Sequence, residues 1–461
     1  MKKVFDEVKR LDKRLVNKFY LSEDILMEHA SISLQNYILK KFKKNKKVLI
    51  VCGGGNNGAD GIALARLLYT KFEVSIYLVK EPKTAIAKEQ EKRAKALNIP
   101  FINTLFEADI IVDCIFGTGL NKDLDETSIN LINQLNSFKS FKIACDIPSG
   151  IDSLGRVLNT AFKADITITM GALKTALFSD IAKDYIGELK VATLGVEHQI
   201  FQTNTNKYLL QKSDLKLPFR DKKNTHKGSF GHLNVIAGEK LGASIIASKA
   251  AFSFGVGLVT IINKEEKAIP EYIMQSQNIA KNCTAIAIGM GLGKIEDKEL
   301  EKILKLNIPK VFDADLFYNS KIVEYLDENV VLTPHPKEFI SLLELTKIAQ
   351  ISINELQENR FLYVEKFCKK YPKVVLLLKG ANVIIAQKDS IYINNLGTSK
   401  LSKGGSGDVL SGLVASLLAQ GYNTLEAAIF ASLAHTIASN KYKKNNYSLK
   451  PQDIINKVEK L

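Results

Sequence analysis

Two α/β domains, each a doubly wound three-layer sandwich, are predicted by three observations in the 461-residue sequence. Short aliphatic and β-branched runs alternate with longer stretches of helical periodicity, the pattern of a mainly parallel sheet covered on both faces. Glycine-rich segments sit at the junctions of these runs: 53–61 directly after an apolar run and 402–412 directly before one. One core does not accommodate a chain of this length, and the polar stretch 199–214 breaks the periodicity, so a division into 1–205 and 206–461 is expected.

Two helices are expected within residues 3–41, where Val4, Val8, Leu11 and Leu15, then Leu21, Ile25 and Leu26, recur at helical spacing. The first strand, 47–52, runs into Gly53–Gly61, with a helix expected from Ile62 to Tyr69. Strands follow at 73–79, 109–114, 142–146 and 165–170, with helices at 84–97 and 124–138. Ligands in such sheets bind where loops leave the carboxyl ends of strands. Three segments qualify: Gly53–Gly61, Asp113–Leu120 and Asp146–Asp152.

In the second half, a flexible loop at 221–231 precedes a strand at 233–237, a glycine-bounded turn and a helix at 243–254. Strand runs recur at 258–262, 285–288, 311–313, 330–333, 374–378 and 383–386. Helices are expected at 299–306, 354–371, 409–420 and 425–440.

Composition narrows the function. The chain is 46% hydrophobic and 25% charged, as in a globular protein. Its net charge of +15 comes from dispersed lysines, with no interleaved aromatics or nucleic-acid motif, so a surface that attracts phosphorylated small molecules is expected rather than nucleic acid. The five cysteines contain no CxxC pair, which suggests neither zinc nor disulfides and fits a cytoplasmic location. No signal-peptide pattern and no run of ~18 apolar residues is present, so no membrane association is expected.

Two segments carry chemistry. In Ser402-Lys403-Gly404-Gly405-Ser406-Gly407-Asp408 the glycines let backbone N–H groups approach an anion ahead of an apolar helix. A carboxylate there repels phosphate unless it acts, and Asp408 is suited to take a proton from a hydroxyl attacking a terminal phosphoryl group; the plainer alternative is a helix N-cap. In Gly53–Gly61, Asn56 and Asn57 replace the centre of a dinucleotide fingerprint. Their amides suit a ligand with amide and hydroxyl groups, or a cation.

The 402–412 segment resembles the anion hole of ribokinase-like kinases. With Gly289-Met290-Gly291-Leu292-Gly293, Thr333-Pro334-His335-Pro336-Lys337-Glu338, Lys379-Gly380 and Asn394-Asn395-Leu396-Gly397 it is similar to the ADP-dependent NAD(P)H-hydrate dehydratase branch of that superfamily. The three N-terminal segments resemble the Rossmann-like NAD(P)H-hydrate epimerase domain fused to it in bacterial enzymes. The resemblance implies a bifunctional repair enzyme acting on NADHX and NADPHX. The first domain would interconvert the R and S hydrates, and the second would dehydrate the S form with ADP, leaving AMP and phosphate.

For the epimerase, the resemblance implies substrate binding by Asn56, Asn57, Gly58, Ala59 and Asp60, and by Gly117, Thr118, Gly119, Leu120, Asn121, Lys122 and Asp123. Asp146 would bind substrate and transfer the proton; Asn57, Asp113 and Ser149 would hold a potassium ion. For the dehydratase it implies substrate contacts from Ala243, Gly291, His335 and Asp408, with Asp408 catalytic. Lys379, Gly380, Ala381, Asn382, Val383 and Gly407 would bind the nucleotide, with magnesium accompanying ADP. A homo-oligomer is expected. The chain departs from the family pattern at His29 (usually asparagine), Ala59 (glycine), Met290 (often proline) and Val383 (threonine). Two other readings use the same segments: a small-alcohol kinase that keeps its phosphorylated product, and a nucleotide- or RNA-binding protein without turnover, which Asp60, Asp113 and Asp146 disfavour because carboxylates repel a phosphate backbone.

Overall fold

The structure is a computed structural model describing all residues, 1–461. The chain divides into two compact units, Lys3–Thr205 and Asn206–Leu461, the latter joined by Met1–Lys2.

The first unit is built on a seven-stranded sheet. Its spatial order is Phe101–Ile102, Glu73–Leu78, Lys47–Cys52, Ile110–Cys114, Phe141–Cys145, Ile166–Met170 and Glu188–Ala192, every neighbouring pair parallel. Chain direction across the sheet reverses between Lys47–Cys52 and Ile110–Cys114. The loops after those two strands therefore diverge and leave a crevice. The central strands are apolar on both faces because both are covered. Val48, Ile50 and Cys52 pack with Leu34, Ile38, Leu64 and Leu68 on one side, and Leu49 and Val51 pack with Leu131, Ile132, Leu135 and Phe162 on the other.

The helix expected from Ile62 starts at Asn56, with Gly55 as N-cap. Asn56 to Asp60 are therefore its first turn, not a free loop. Side-chain size explains the early start: a Cβ on Gly58 would lie 1.8 Å from the Gly53 carbonyl, and one on Gly61 would lie 2.8 Å from both Cys52 Sγ and Cys114 Sγ. Only glycine lets the helix begin this tightly against the strand end.

In the second unit the sheet runs Met274–Ser276, Leu258–Ile262, His232–Ile236, Ala285–Ile288, Lys310–Phe312, Val330–Leu332, Val375–Leu378, Val383–Gln387, Ser390–Asn394 and Lys207–Leu209. It is parallel except for Val383–Gln387, which is antiparallel to both neighbours. At its heart lies the helix Ser406–Ala419, fully buried from Val409 to Ala419. A Cβ on Gly412 would meet the Ala247 carbonyl at 2.2 Å, so this glycine sets how closely the helix Leu241–Ser253 approaches. One expectation changes: the stretch 354–371 is two helices, Ile353–Glu358 and Arg360–Lys370, separated at Asn359. A helix that was not expected, Pro336–Leu345, begins just after His335.

All five cysteines are free thiols, and no helix is long and apolar enough to cross a membrane.

Two candidate active sites

In the first unit, three strand ends bring Asn57, Asp113 and Ser149 together. Asp113 is fully buried, and its carboxylate accepts from Ser149 Oγ at 2.6 Å, Ser149 N at 2.7 Å and Ile115 N at 3.1 Å. Burial lifts its pKa to about 6 although these donors act against it. Asn57 Nδ2 donates to the Phe116 carbonyl at 3.1 Å, and Ser149 Oγ accepts from Phe116 N at 2.9 Å. Asn57 Oδ1 is buried with no hydrogen-bond partner. An orphaned buried amide oxygen is costly alone, and beside a buried carboxylate it suits a hard cation.

A Cβ built on Gly117 would lie 3.4 Å from Asn57 Cβ, so the two residues adjoin. Thr118, Gly119, Asn121, Lys122 and Asp123 form an exposed rim beyond it, and Leu120 turns inward to the core. Asn56 is exposed, Gly58 and Ala59 are buried, and Asp60 is half-buried. Ala59 packs with Met27, Ala63 and Ala87 without a positive φ, so the methyl that replaces glycine is accommodated. His29 packs against Gly195.

Asp146 holds a left-handed backbone, φ 70°, which costs a non-glycine residue about 1–2 kcal/mol. Its carboxylate is bonded to the buried Lys174 and to Met170 N at 2.9 Å. Around it, burial and the Asp146 charge raise Asp60 well above the usual carboxylate range. Burial likewise lifts Asp12, from the helix Lys9–Phe19, to about 6, with Lys174 opposing and Asp146 adding to the rise. Sequence reading missed Asp12 and Lys174. Neither lies in a glycine-rich segment, and their only sequence signal is a charge inside an otherwise apolar helix face or strand end.

In the second unit, Asp408 lies in the first turn of its helix. The N-cap is Gly405, φ +86°, with no side-chain cap, so the plain capping role for Asp408 is excluded. Burial first and Asp313 second raise Asp408 to about 6, with Lys379 opposing. Lys379 Nζ bonds Asp313 Oδ1 at 2.8 Å and approaches Glu338 Oε2 at 3.7 Å; a Cβ built on Gly407 would be 3.5 Å from that ammonium. Burial works against the charge on Lys379, but Asp313, Glu338 and Asp408 outweigh it and the net shift is upward. Asp313 Oδ2 accepts from Ser411 Oγ at 2.7 Å. Glu338, raised to about 7 chiefly by burial, completes the cluster.

His335 is the N-cap of Pro336–Leu345: its Nδ1 accepts from Glu338 N at 3.1 Å, and its own N–H donates to Glu338 Oε2 at 2.7 Å. With Nε2 3.0 Å from Glu338 Oε1, the ring is neutral with its proton on Nε2, and burial followed by Lys379 lowers its pKa. Gly291, φ +62°, turns the 289–293 segment against 240–243, where an added Cβ would meet Lys240 at 2.7 Å and Ala243 at 3.2 Å. The buried Met290 fills the core beneath.

In the 379–383 turn, Arg360 donates to the Lys379 and Asn382 carbonyls, each at 3.0 Å. Gly380 and Ala381 are exposed, Asn382 is buried, and the Val383 side chain belongs to the core. Gly397 approaches the Ala381 carbonyl, so the 394–397 segment adjoins the 379–383 turn. The residues missed here are Asp313, Ser411 and His435. His435 Nε2 contacts Ser406 Oγ at 3.3 Å beneath the anion loop.

Residues 23–176 match the family model described as YjeF-related protein N-terminus, and 233–460 match that described as NAD(P)H-hydrate dehydratase. The bifunctional NAD(P)H-hydrate repair enzyme Nnr of Helicobacter pylori is 46% identical over 474 aligned positions, covering 100% of both chains. Its namesake from Coxiella burnetii is 33% identical, covering 93% of this chain and 92% of the relative. Among solved structures, an ADP/ATP-dependent NAD(P)H-hydrate dehydratase from Bacillus subtilis is similar with 24% identity and a TM-score of 0.48, covering 56% of this chain and 98% of that one. With identity at this level along its whole length, the chain belongs to the family of bifunctional NAD(P)H-hydrate repair enzymes.

Proposed function

We propose that unit 3–205 epimerises the R and S hydrates of NADH and NADPH at Asp146, and that unit 206–461 dehydrates the S hydrate at Asp408 with ADP. The observation carrying the second assignment is the placement of Asp408. It is a half-buried carboxylate that is not the N-cap, third in a helix whose N-terminus is ready for an anion, and beside the Lys379 ammonium.

At the dehydratase, the Asp408 carboxylate takes the proton of the hydrate's ring hydroxyl, and the oxygen attacks the terminal phosphorus of ADP as AMP leaves. The backbone N–H groups of Gly405 and Gly407 and the Lys379 ammonium would face the charge that develops on the phosphoryl oxygens. The resulting phosphate ester leaves far more readily than hydroxide. The ring nitrogen's lone pair expels it, and loss of a proton from the adjacent ring carbon restores the dihydronicotinamide. Magnesium accompanies ADP: no group of three or more His, Cys, Asp or Glu is arranged to hold a metal ion, and magnesium is usually held by substrate phosphates with one or two carboxylates.

At the epimerase, Asn57 Oδ1, the Phe116 carbonyl, Asp113 and Ser149 fit a potassium ion. When bound it would balance the buried Asp113 charge and tie three loops together. Asp146 would face the epimerising carbon, with Asp60 near it held well above the usual carboxylate range and Asp12 raised to about 6, both by burial first.

The test is stoichiometric. Purified protein given the S hydrate of NADH, ADP and magnesium should release one AMP and one phosphate per NADH formed. A stable phosphorylated product without NADH would instead support the small-alcohol kinase.

A further inference from the structure

The environment of Asp146 is asymmetric in a way that points to a second residue in epimerisation. Every protein donor to this carboxylate falls on one oxygen. Oδ1 is bonded to Lys174 Nζ, accepts from Met170 N at 2.9 Å and accepts from Thr169 Oγ1 at 3.3 Å. Oδ2 has no protein hydrogen bond, yet the side chain keeps 15% of its surface open, whereas Lys174 keeps 6%.

Lys174 is itself fixed. Its ammonium also donates to Thr169 Oγ1 at 2.7 Å, and Leu173 and Lys174 pair in parallel register with Val4 and Phe5. Ala172, in the same turn, packs with Leu11 and Leu15 of the helix Lys9–Phe19. A long, flexible side chain has thus been given one geometry by its surroundings.

We infer that Lys174 is a positioning residue for epimerisation: with Thr169 it anchors Asp146 Oδ1 and leaves Oδ2 as the single oxygen presented to the hydrated ring. The inference rests on the reading of Asp146 as the epimerising group. A carboxylate pinned at one oxygen meets the ring in one orientation, whereas a free one samples many. Misplacing a catalytic group by about 1 Å lowers the rate about 10²-fold. The bland alternative is an ion pair that only holds the 169–174 turn in place.

The experiment uses the full chain and follows both activities. K174M should lower kcat for epimerisation ~10²-fold with KM changed less than about threefold, while dehydration of the S hydrate stays at the wild-type rate. K174A should regain part of the lost kcat when methylammonium is added, which a merely structural lysine would not show. T169V, nearly isosteric, removes one donor to the same oxygen and should lower kcat several-fold, so the inference stays testable if the lysine variants do not fold.

Unchanged epimerisation in K174M, a rise in KM alone, or equal loss of both activities would overturn it, as would wild-type epimerisation by T169V where the lysine variants do not fold. D146N is measured alongside. If D146N still epimerises, the reading of Asp146 falls and the inference with it. If D146N is inactive and K174M normal, only the positioning role falls.

Discussion

Replacing Asp408 with Asn should abolish dehydration and make the protein more stable, a combination that a structural carboxylate would not produce. The folded-state pKa of Asp408 is raised from its ordinary 3.8 to about 6, first by burial and then by Asp313. Between those values the folded state holds more protons than the unfolded chain. Stability therefore falls as pH rises through the window, and the penalty is complete above it. About two pKa units correspond to about 3 kcal/mol at neutral pH. Partial solvent access and a favourable helix-dipole contribution of ~0.3–1 kcal/mol reduce this, leaving a net gain of roughly 1–2 kcal/mol for D408N. Urea unfolding at pH 7.5 should show the C-terminal unit stabilised by that amount, and at pH 4 the gain should shrink. Loss of the base should lower kcat for dehydration ~10²–10⁴-fold, with epimerisation unchanged. The wild-type dehydration rate should fall on the acid side with a midpoint near pH 6, because the carboxylate must be unprotonated to act. A D408N protein that is less stable at pH 7.5, or that dehydrates within tenfold of wild type, would refute this reasoning.

D146N should remove epimerisation, lowering its rate ~10²–10⁴-fold, and spare dehydration of the S hydrate; Asn tolerates the left-handed φ of 70°, but it leaves the buried Lys174 ammonium without its counter-charge, so its thermal midpoint should fall below that of the wild type. N57A deletes the orphaned buried Oδ1 and should make epimerisation insensitive to exchanging potassium for sodium, where the wild type should respond. G58A places a methyl 1.8 Å from the Gly53 carbonyl and should cost about 1–3 kcal/mol or more in unfolding experiments. G55A meets nothing within 4 Å, so it should cost no more than the roughly 1 kcal/mol by which alanine is the poorer N-cap.

Much of the fold was legible because parallel strands buried on both faces read as uninterrupted apolar runs, as in Val48–Cys52 and Val375–Leu378. Some of the strands that escaped notice are short or half-exposed: Phe101–Ile102 has two residues, and Glu188–Ala192 has only one buried. Helix starts at Asn56 and Ser406 were hidden because glycine and asparagine read as loop formers. There, close packing on a strand end and the anion-loop turn outweigh propensity. Asp408 was legible as a candidate because an acid inside a glycine-rich segment ahead of an apolar helix is chemically conspicuous. Asp313, Lys174 and Asp12 were not, since each acquires its role from partners far along the chain: Asp313 from Lys379 and Ser411, Lys174 from Asp146. His335 stood out only through the family resemblance, and the structure gives it the capping of the Pro336 helix.

The division of labour between Asp146 and Asp408 is tested most directly by mixing the two inactivated proteins. D146N and D408N are each incubated with the R hydrate of NADH, ADP and magnesium, then together, and NADH is followed by absorbance. Each alone should yield NADH no faster than unaided epimerisation allows. The mixture should recover the full stock at a rate approaching that of the wild type, because one protein supplies each step. A mixture as inert as its components, or a single variant that converts the R hydrate unaided, would contradict two independent sites on one chain.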